Sequence, residues 1–297
     1  MVEKTITNLD SGKDVEAGGR RLPRGLKGVV ELFRSFDGTT GFILCALLVL
    51  AGILAPVISP YDPFSLVAKP FLAPSATHLI GTDELGRDLF SRILYGARLS
   101  LIVGLGSAVF GILFGVGLGV LAGYLGGVLD TLITRAVDVL LSFPGLILAL
   151  LVNAILGSNL PNTVLALGIV SVPRFARVIR GQVLSLKQKE FVEALRVLGA
   201  GPLRVIGAHI LPRLSALIVV ELSLTMAFAM MTEASLSFLG LGVGPPHASW
   251  GMILKAGYPY LETAPWIAIC SATALFLGVM GFTFLADGVR RVAVGSR

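Results

Sequence analysis

The chain has 297 residues, of which 55% are hydrophobic and only 14% are charged, and its mean hydropathy is +0.86. A soluble domain carries a larger polar fraction, so the composition excludes an ordinary soluble protein and indicates a membrane protein. The net charge of +6 does not indicate nucleic-acid binding, because the basic residues are dispersed around the apolar runs.

Six apolar runs have about the length needed to cross roughly 30 Å of hydrocarbon. A segment in lipid must satisfy its own backbone hydrogen bonds, so these runs predict helices. A porin-like barrel is not indicated, since barrel strands alternate apolar and polar residues and these runs do not. The sequence therefore predicts an all-α membrane protein with six transmembrane helices: Thr40–Ile58, Leu99–Leu125, Val139–Leu156, Val164–Ile179, Ala216–Leu241 and Trp266–Leu285.

The amino-terminal tail, residues 1–38, lacks the apolar core of a cleavable signal peptide, so the first span is predicted to be an uncleaved anchor. The positions of Lys and Arg give the orientation. With six spans, nineteen of these residues lie on the side that holds both termini, and five lie on the other side. We therefore expect both termini and the loop between spans four and five to be cytoplasmic.

The second span carries a small residue at every fourth position, which on a helix makes one narrow stripe. Such a stripe lets another helix approach closely. The sequence leaves open whether that helix belongs to a partner subunit or to the same chain. The stripe consists of Ser107, Gly111, Gly115, Gly119 and Gly123.

Between spans four and five lies a basic, polar segment. The fourth span is predicted to continue through Arg174, Arg177 and Arg180. An amphipathic helix is predicted over 184–198, with an apolar face at helical spacing. Gly199 is suited to end this helix and Pro202 to begin the next, which Pro212 is expected to break. The apolar face consists of Phe191, Ala194, Leu195 and Leu198.

The spans hold few groups that could do chemistry. Glu221 and Glu233 lie in the fifth span, where a charge is expensive, and we favour a packing or pore-wall role for them over an ion relay. No histidine, cysteine or carboxylate spacing predicts a metal site or a nucleophile, and no GxxxxGK[ST] loop is present to bind ATP. The sequence therefore predicts a protein that is not an enzyme.

The segment from Glu193 to Pro212 resembles the "EAA" signature of the membrane subunits of binding-protein-dependent ABC importers. That signature is Glu-Ala-Ala, three residues, Gly, nine residues, Ile, one residue and Leu-Pro. Leu195 replaces the second alanine of the signature, and His209 stands at its isoleucine position. The matching residues are Glu193, Ala194, Gly199, Leu211 and Pro212, with Ala200 following in the bend.

Other stretches resemble the peptide/nickel branch of this family, in particular the second, C-type permease of dipeptide and oligopeptide systems. The resemblance covers roughly residues 40–287. It rests on the sequences HLIGTDELGRD at 78–88, DVLLSFP at 138–144, RGQ at 180–182, EASLSFLGLG at 233–242, PP at 245–246 and SWG at 249–251.

The resemblance implies the type I ABC importer permease fold in the inner (plasma) membrane of a bacterium or archaeon. It implies residues 39–98 as a first helix and extracytoplasmic loop, 99–288 as the core permease domain with its EAA loop at about 184–212, and 289–297 as a cytoplasmic tail. Two cytoplasmic ATPases, which would hold ATP and Mg²⁺, a second permease and an extracytoplasmic solute-binding protein are the implied partners. No cofactor is implied on this chain.

The outer surface that would receive the binding protein is expected in two segments, 61–98 and 242–265. The first holds four charged residues that are expected to pair among themselves and fix the loop. These residues are Asp83, Glu84, Arg87 and Asp88.

The expected function is permeation of peptides or related solutes, coupled to the ATPases through the segment Glu193–Pro212. Nickel chelates, glutathione and oligosaccharides are alternative solutes within the family. A stand-alone secondary transporter is a more distant alternative, which would require carboxylates or broken helices in both halves of an inverted repeat.

Overall fold

A computed structural model describes residues 31–33, 35–244 and 246–295, so most of the predicted amino-terminal tail lies outside the described residues. Within that part of the chain the regular structure is helical, apart from one isolated bridge between Thr82 and Asp88. Five helices are long and apolar enough to cross a membrane, and a bent helix pair raises the number to six. The predicted all-α membrane fold is confirmed.

Helices α1 (Phe36–Ile58) and α2 (Leu89–Leu125) form the first two spans. Helix α2 begins well before the predicted Leu99, so the end of the predicted loop is helical. Asp88 is the reason, because its carboxylate accepts hydrogen bonds from the backbone N–H and the hydroxyl of Ser91 at 2.9 and 2.7 Å. The middle of α2, Ile112–Val116, is a π-helical turn.

The third predicted span is not one straight helix, and that prediction is wrong. Helices α3 (Gly127–Leu141) and α4 (Gly145–Leu156) meet at 91°. Pro144 lacks an N–H and disfavours helical backbone at Phe143, so the helix ends before it. The Ser142 hydroxyl caps the end of α3 by donating to the Val139 carbonyl at 2.7 Å.

Helix α5 (Leu160–Lys187) contains the fourth predicted span and continues through the three arginines, as predicted. Asn159 caps its start by accepting the Asn162 N–H at 2.9 Å. The helix predicted over 184–198 is interrupted, because Gln188 ends α5 and Lys189 is extended before α6 (Glu190–Val197). Helix propensity is a weak guide that tertiary contacts override, and after the break α6 buries Val192 against the bundle.

Helix α7 (Pro202–Leu239) contains the fifth span, and the break predicted at Pro212 is wrong. A π-helical turn, Ile206–Ile210, precedes the proline, which lies in the first turn of the α-helical part that begins at Leu211. The missing N–H of a proline is tolerated in a first turn, where it has no intrahelical partner. Helices α8 (Trp250–Gly257) and α9 (Pro265–Gly295) complete the chain.

The helices form a bundle with two distinct ends. We call the end that holds residues 188–201 the basic end, and the end that holds residues 59–88 and 240–264 the opposite end. Helix α2 packs on α5 and α7, and α9 packs on α1 and α7. At the opposite end, α8 is anchored by the buried Trp250, whose indole N–H donates to the Ile93 carbonyl at 3.0 Å.

Candidate functional site

The small residues of α2 face α5 of the same chain. A methyl group added at Gly119 would lie 2.7 Å from the Ala176 carbonyl oxygen, and one at Gly123 would lie 2.9 Å from Cβ of Val183. Methyl groups at Gly111 and Gly115 would press against Phe175. Ser107 donates a hydrogen bond to the Val164 carbonyl at 3.2 Å. The stripe therefore brings two helices of this subunit together, and the partner-subunit alternative has no support in these contacts.

The glycine bend after α6 has the geometry of a Schellman helix end. Gly199 has φ +78°, a left-handed conformation that a β-branched residue adopts only with strain. Its N–H donates to the Arg196 carbonyl, and the Ala200 N–H donates to the Leu195 carbonyl, both at 2.9 Å. These bonds satisfy carbonyls that would otherwise be unpaired at the helix end and fix the angle of the bend.

One side of α6 packs into the bundle and the other faces outward. Val192 is fully buried in a cluster with Val183 of α5 and Ile210 of α7, and Leu195 packs against this cluster. Ala194 and Leu198, predicted to lie on the same apolar face, are exposed instead, as is Glu193. Lys189 and Glu193, four residues apart, form no ion pair among the described contacts. Of the remaining signature residues, Ala200 and Leu211 are half-buried and Pro212 is exposed.

Three large apolar side chains next to the bend are almost fully exposed. Val197, Leu198 and Leu203 have 84%, 82% and 87% of their surface accessible, and we call them the apolar patch. The three residues lie within seven positions of one another around the bend, and neighbouring exposed apolar side chains are typical of interaction sites. Sequence reasoning missed Val197 and Leu203, which the amphipathic pattern does not distinguish from core residues.

Cationic side chains attach the segment to the bundle. The guanidinium of Arg213 lies 3.7 Å from the ring centroid of Phe191, and Arg196 lies 5.5 Å from that of Tyr124. The Lys187 ammonium donates to the Tyr124 carbonyl at 2.7 Å. These contacts join the two ends of α6 to α7 and α2, so the segment and the bundle move together.

The two glutamates of the fifth span differ in surroundings. Glu221 accepts a hydrogen bond from Nε of Arg174 at 3.0 Å. Glu233 is fully buried and accepts from the Ser237 hydroxyl at 2.7 Å. Glu221 thus lies beside a half-exposed arginine, whereas Glu233 lies inside the bundle.

The arginines that continue the fourth span each pair with an acid on another helix. Arg177 pairs with Asp138 at 2.6 Å, and Arg180 forms two bonds to Asp130 at 2.5 and 2.7 Å. Sequence reasoning did not identify these acids as partners. The available signal was the presence of two aspartates, Asp130 and Asp138, within a mostly apolar helix, α3.

At the opposite end, the two predicted outer segments meet. The rings of Phe71 and Tyr260 are 4.6 Å apart, and a cavity of about 560 Å³ lies between Glu84, Lys255 and their neighbours. This arrangement joins the loop before α2 to the segment around α8 in one outer surface. Among the residues that the structure describes, no cluster could hold a metal ion.

The charged residues of the first outer segment pair only partly with one another. Arg87 pairs with Asp83 and Glu84, at 2.7 and 2.9 Å. Asp88 instead forms a hydrogen bond with Nδ1 of His78 at 2.9 Å, in addition to its bonds with Ser91. Asp88 therefore fixes the start of α2, whereas the other three residues fix the turn before it.

Comparison with known proteins extends these observations. A family model described as "Binding-protein-dependent transport system inner membrane component" matches residues 115–293. A putative peptide transport system permease protein of Brucella suis is 40% identical over 263 residues, which is 88% of each chain. The di/tripeptide permease DppC of Pseudomonas aeruginosa is 39% identical, covering 90% of this chain and 91% of the relative. The glutathione permease GsiD of Shigella flexneri is 44% identical over 86% of each chain.

The fold is also similar to a solved structure, an inward-facing form of the MetNI methionine ABC transporter. The TM-score is 0.56 at 23% identity, and the alignment covers 67% of this chain and 95% of that one. The predicted type I importer permease fold and multi-pass inner-membrane location are thereby confirmed. The chain belongs to the family of binding-protein-dependent transport system inner membrane components.

Proposed function

We propose that this chain is one of two permease subunits in an ATP-driven importer of peptides or related small solutes. The relatives named for peptide, di/tripeptide and glutathione transport support this solute class. Glutathione is itself a small peptide, so these relatives share amide-linked, carboxylate-bearing solutes. ATP and Mg²⁺ would be bound by partner ATPases, with no cofactor on this chain.

The observation on which the proposal rests is the exposed apolar patch. It lies on both sides of the bend at Gly199, whose geometry is held by hydrogen bonds. Burying a leucine or valine side chain stabilises an interface by about 1.5–3 kcal/mol, so the patch suits a permanent protein partner. The distribution of Lys and Arg favours a cytoplasmic basic end, where an ATPase would dock. Glu193 and Ala194 lie beside the patch on the exposed side of α6 and would belong to the same contact.

The rigidity of this segment explains how ATP hydrolysis on the partner subunits would be coupled to movement of the transmembrane helices. Closure of an ATPase dimer displaces the docked segment, and the displacement reaches the spans only if the segment is rigid. The hydrogen-bonded bend at Gly199 and the arginine–aromatic contacts supply that rigidity. A solute-binding protein would deliver solute at the opposite end, where the two outer segments meet.

Reconstitution of the full complex in proteoliposomes tests the proposal. The preparation contains this chain, its second permease, the ATPases and the binding protein. The binding protein is loaded in separate experiments with a tripeptide, glutathione, an oligosaccharide or a nickel chelate. We expect a peptide-loaded binding protein to stimulate ATP hydrolysis and ATP-dependent uptake. Stimulation only by a non-peptide solute would contradict the solute class. Uptake by this chain without ATPases, driven by an ion gradient, would instead identify a secondary transporter.

A further inference from the structure

Helix α5 has an exposed face that is polar over its last half. Arg174, Arg177, Gly181 and Ser185 are exposed and recur at helical spacing, whereas Phe175, Ile179 and Val183 on the other face are buried. The exposed face of α1 is apolar by contrast, with Ile43, Leu47 and Leu50. We call these four exposed residues of α5, together with Gln182, the polar stripe.

The polar stripe begins at a depth that corresponds to the membrane interior. At 1.5 Å per residue, Arg174 lies about 21 Å along α5 from Leu160, and Arg177 about 26 Å. We take the hydrocarbon layer to be about 30 Å thick and to begin at Leu160, the first residue of this span, which places both arginines in the half of the layer toward the basic end. A charged side chain is costly where it faces hydrocarbon, and such residues face a protein interior or a water-filled cavity instead. The stripe is therefore not a lipid-facing surface.

The two arginines of the stripe retain hydrogen-bonding capacity. In the contacts described, Arg174 and Arg177 each donate one N–H to an acid, while a guanidinium carries five. Their side chains are 45% and 58% exposed. Arg180 differs, because it donates two N–H groups to Asp130 and is only 32% exposed. Arg180 joins two helices, whereas Arg174 and Arg177 can engage another anion.

The stripe runs into a basic cavity at the end of the bundle. This cavity measures about 750 Å³, and Gln182 and Ser185 of the stripe form part of its wall. Lys189, Arg213 and Arg290 supply the cationic groups of the same cavity. Gln182 and Ser185 thus connect the exposed arginines of α5 to a cavity whose wall holds three cationic side chains among apolar ones.

We propose that the polar stripe lines the exit half of the solute path and that Arg174 and Arg177 transiently bind carboxylates of the passing solute. This inference rests on the proposed function and adds a route and a chemical class to it. A guanidinium pairs well with a carboxylate, and Glu221 and Asp138 compete for the same groups. That competition keeps solute binding weak, which conduction requires, since a tightly held solute would not leave.

Thiol labelling tests the route. The two native cysteines of this chain are first removed by Cys45→Ser and Cys270→Ser. A single cysteine is then introduced, either Gly181→Cys or Ser185→Cys. Each complex is treated with a charged, membrane-impermeant methanethiosulfonate. The added side chain at Gly181 meets nothing within 4 Å, so the variant fits. Ile43→Cys, on the apolar face of α1 in the half of that helix toward the basic end, is the matched control.

We expect both stripe positions to be modified at least tenfold faster than Ile43→Cys, and solute in turnover to slow that modification. Equal, slow modification at all three positions would overturn the inference, because it would mean that lipid or a dry subunit contact covers the stripe. This outcome leaves the proposed function intact if the unmodified complex still imports solute with ATP.

Charge removal tests the chemistry. The double variant Arg174→Gln, Arg177→Gln is compared with Arg135→Gln, an exposed arginine of α3 outside the stripe. We expect uptake of a free-acid tripeptide to fall about tenfold in the double variant, the loss typical of one charged hydrogen bond, while binding-protein-stimulated ATP hydrolysis persists. Uptake equal to that of Arg135→Gln would overturn the carboxylate role. Loss of both uptake and ATP hydrolysis in the double variant would also overturn the carboxylate role, because it would show that the arginines act in assembly or coupling.

Discussion

Asp83 organises the loop at the opposite end. Its side chain is almost fully buried, and its oxygens accept hydrogen bonds from the N–H groups of Leu85 and Arg87 at 2.9 Å and from Nε of Arg87 at 2.7 Å. Nε of Arg92 lies 3.3 Å from the same carboxylate. One carboxylate thus holds a turn and two guanidinium groups, which fixes the surface that a binding protein would meet.

Replacing Asp83 by Asn is expected to destabilise this loop by about 3–5 kcal/mol, because it leaves buried Arg92 without its counter-charge. Glu84→Gln is the matched control. Among the described contacts its carboxylate forms an ion pair only with Arg87 and accepts no backbone hydrogen bond, so we expect a smaller change than for Asp83→Asn. Thermal unfolding and limited proteolysis of residues 59–88 measure the difference. Equal effects of the two substitutions would contradict the central role of Asp83.

Gly199→Val is expected to uncouple transport. The left-handed backbone at Gly199 costs a β-branched residue about 1–2 kcal/mol, so the bend would shift even though the side chain meets open space. Gly201→Val is the control, since Gly201 has an extended backbone (φ −69°, ψ 160°) that valine adopts readily. Solute-stimulated ATP hydrolysis and uptake should be lost in the first variant and kept in the second. Full activity of Gly199→Val would refute the idea that this bend transmits motion.

At the scale of helices, the contact between α2 and α5 depends on missing side chains. A methyl group added at Gly115 would collide with Cβ of Phe175 and lie 2.7 Å from the Val172 carbonyl oxygen, whereas one at Gly117 meets nothing within 4 Å. Gly115→Ala should therefore destabilise the subunit by about 1–3 kcal/mol through overpacking, and Gly117→Ala should not. The melting temperatures of the two purified variants in detergent measure this difference. Similar melting temperatures for both variants would show that α2 and α5 can move apart at no cost.

The apolar patch makes a prediction about assembly. Leu198→Glu and Leu203→Glu should each weaken ATPase binding by tenfold or more, because a buried leucine contributes about 1.5–3 kcal/mol. Both side chains are exposed in the isolated subunit, so its own stability should hold. Leu261→Glu, on an exposed leucine at the opposite end, is the control. The measurement is the amount of ATPase that co-purifies with the permease. If both patch variants recover as much ATPase as the unchanged chain, the docking surface lies elsewhere.

For the whole molecule, the two ends of the bundle differ chemically. The opposite end has a hydrogen-bonded loop and a cavity of about 560 Å³, and the basic end has the polar stripe, a cavity with three cationic side chains and the apolar patch. On the proposed route, a carboxylate-bearing solute would meet the arginines of the polar stripe only in the half of the bundle toward the basic end. Net import would still be set by ATP hydrolysis on the partner subunits.

The sequence by itself determined the helical membrane class, the position of five spans, the stripe of small residues and the bend at Gly199. These features depend on hydropathy, side-chain size and backbone conformation, which are local properties of the chain. Two errors about helix continuity concern the position of a proline relative to a helix end. Pro212 follows a π-helical turn and is tolerated, while Pro144 turns the third span through 91°.

Only the tertiary structure decided which helix the stripe of small residues meets and which acids the arginines of α5 select. Arg177 and Asp138 are 39 residues apart in sequence, and Arg174 and Glu221 are 47 apart. No local pattern encodes such pairs, because the distance between their side chains depends on how far the helices approach and rotate. The glycines of α2 permit α5 to pack closely on α2, and α5 in that position pairs Arg174 with Glu221 of α7 and Arg177 with Asp138 of α3.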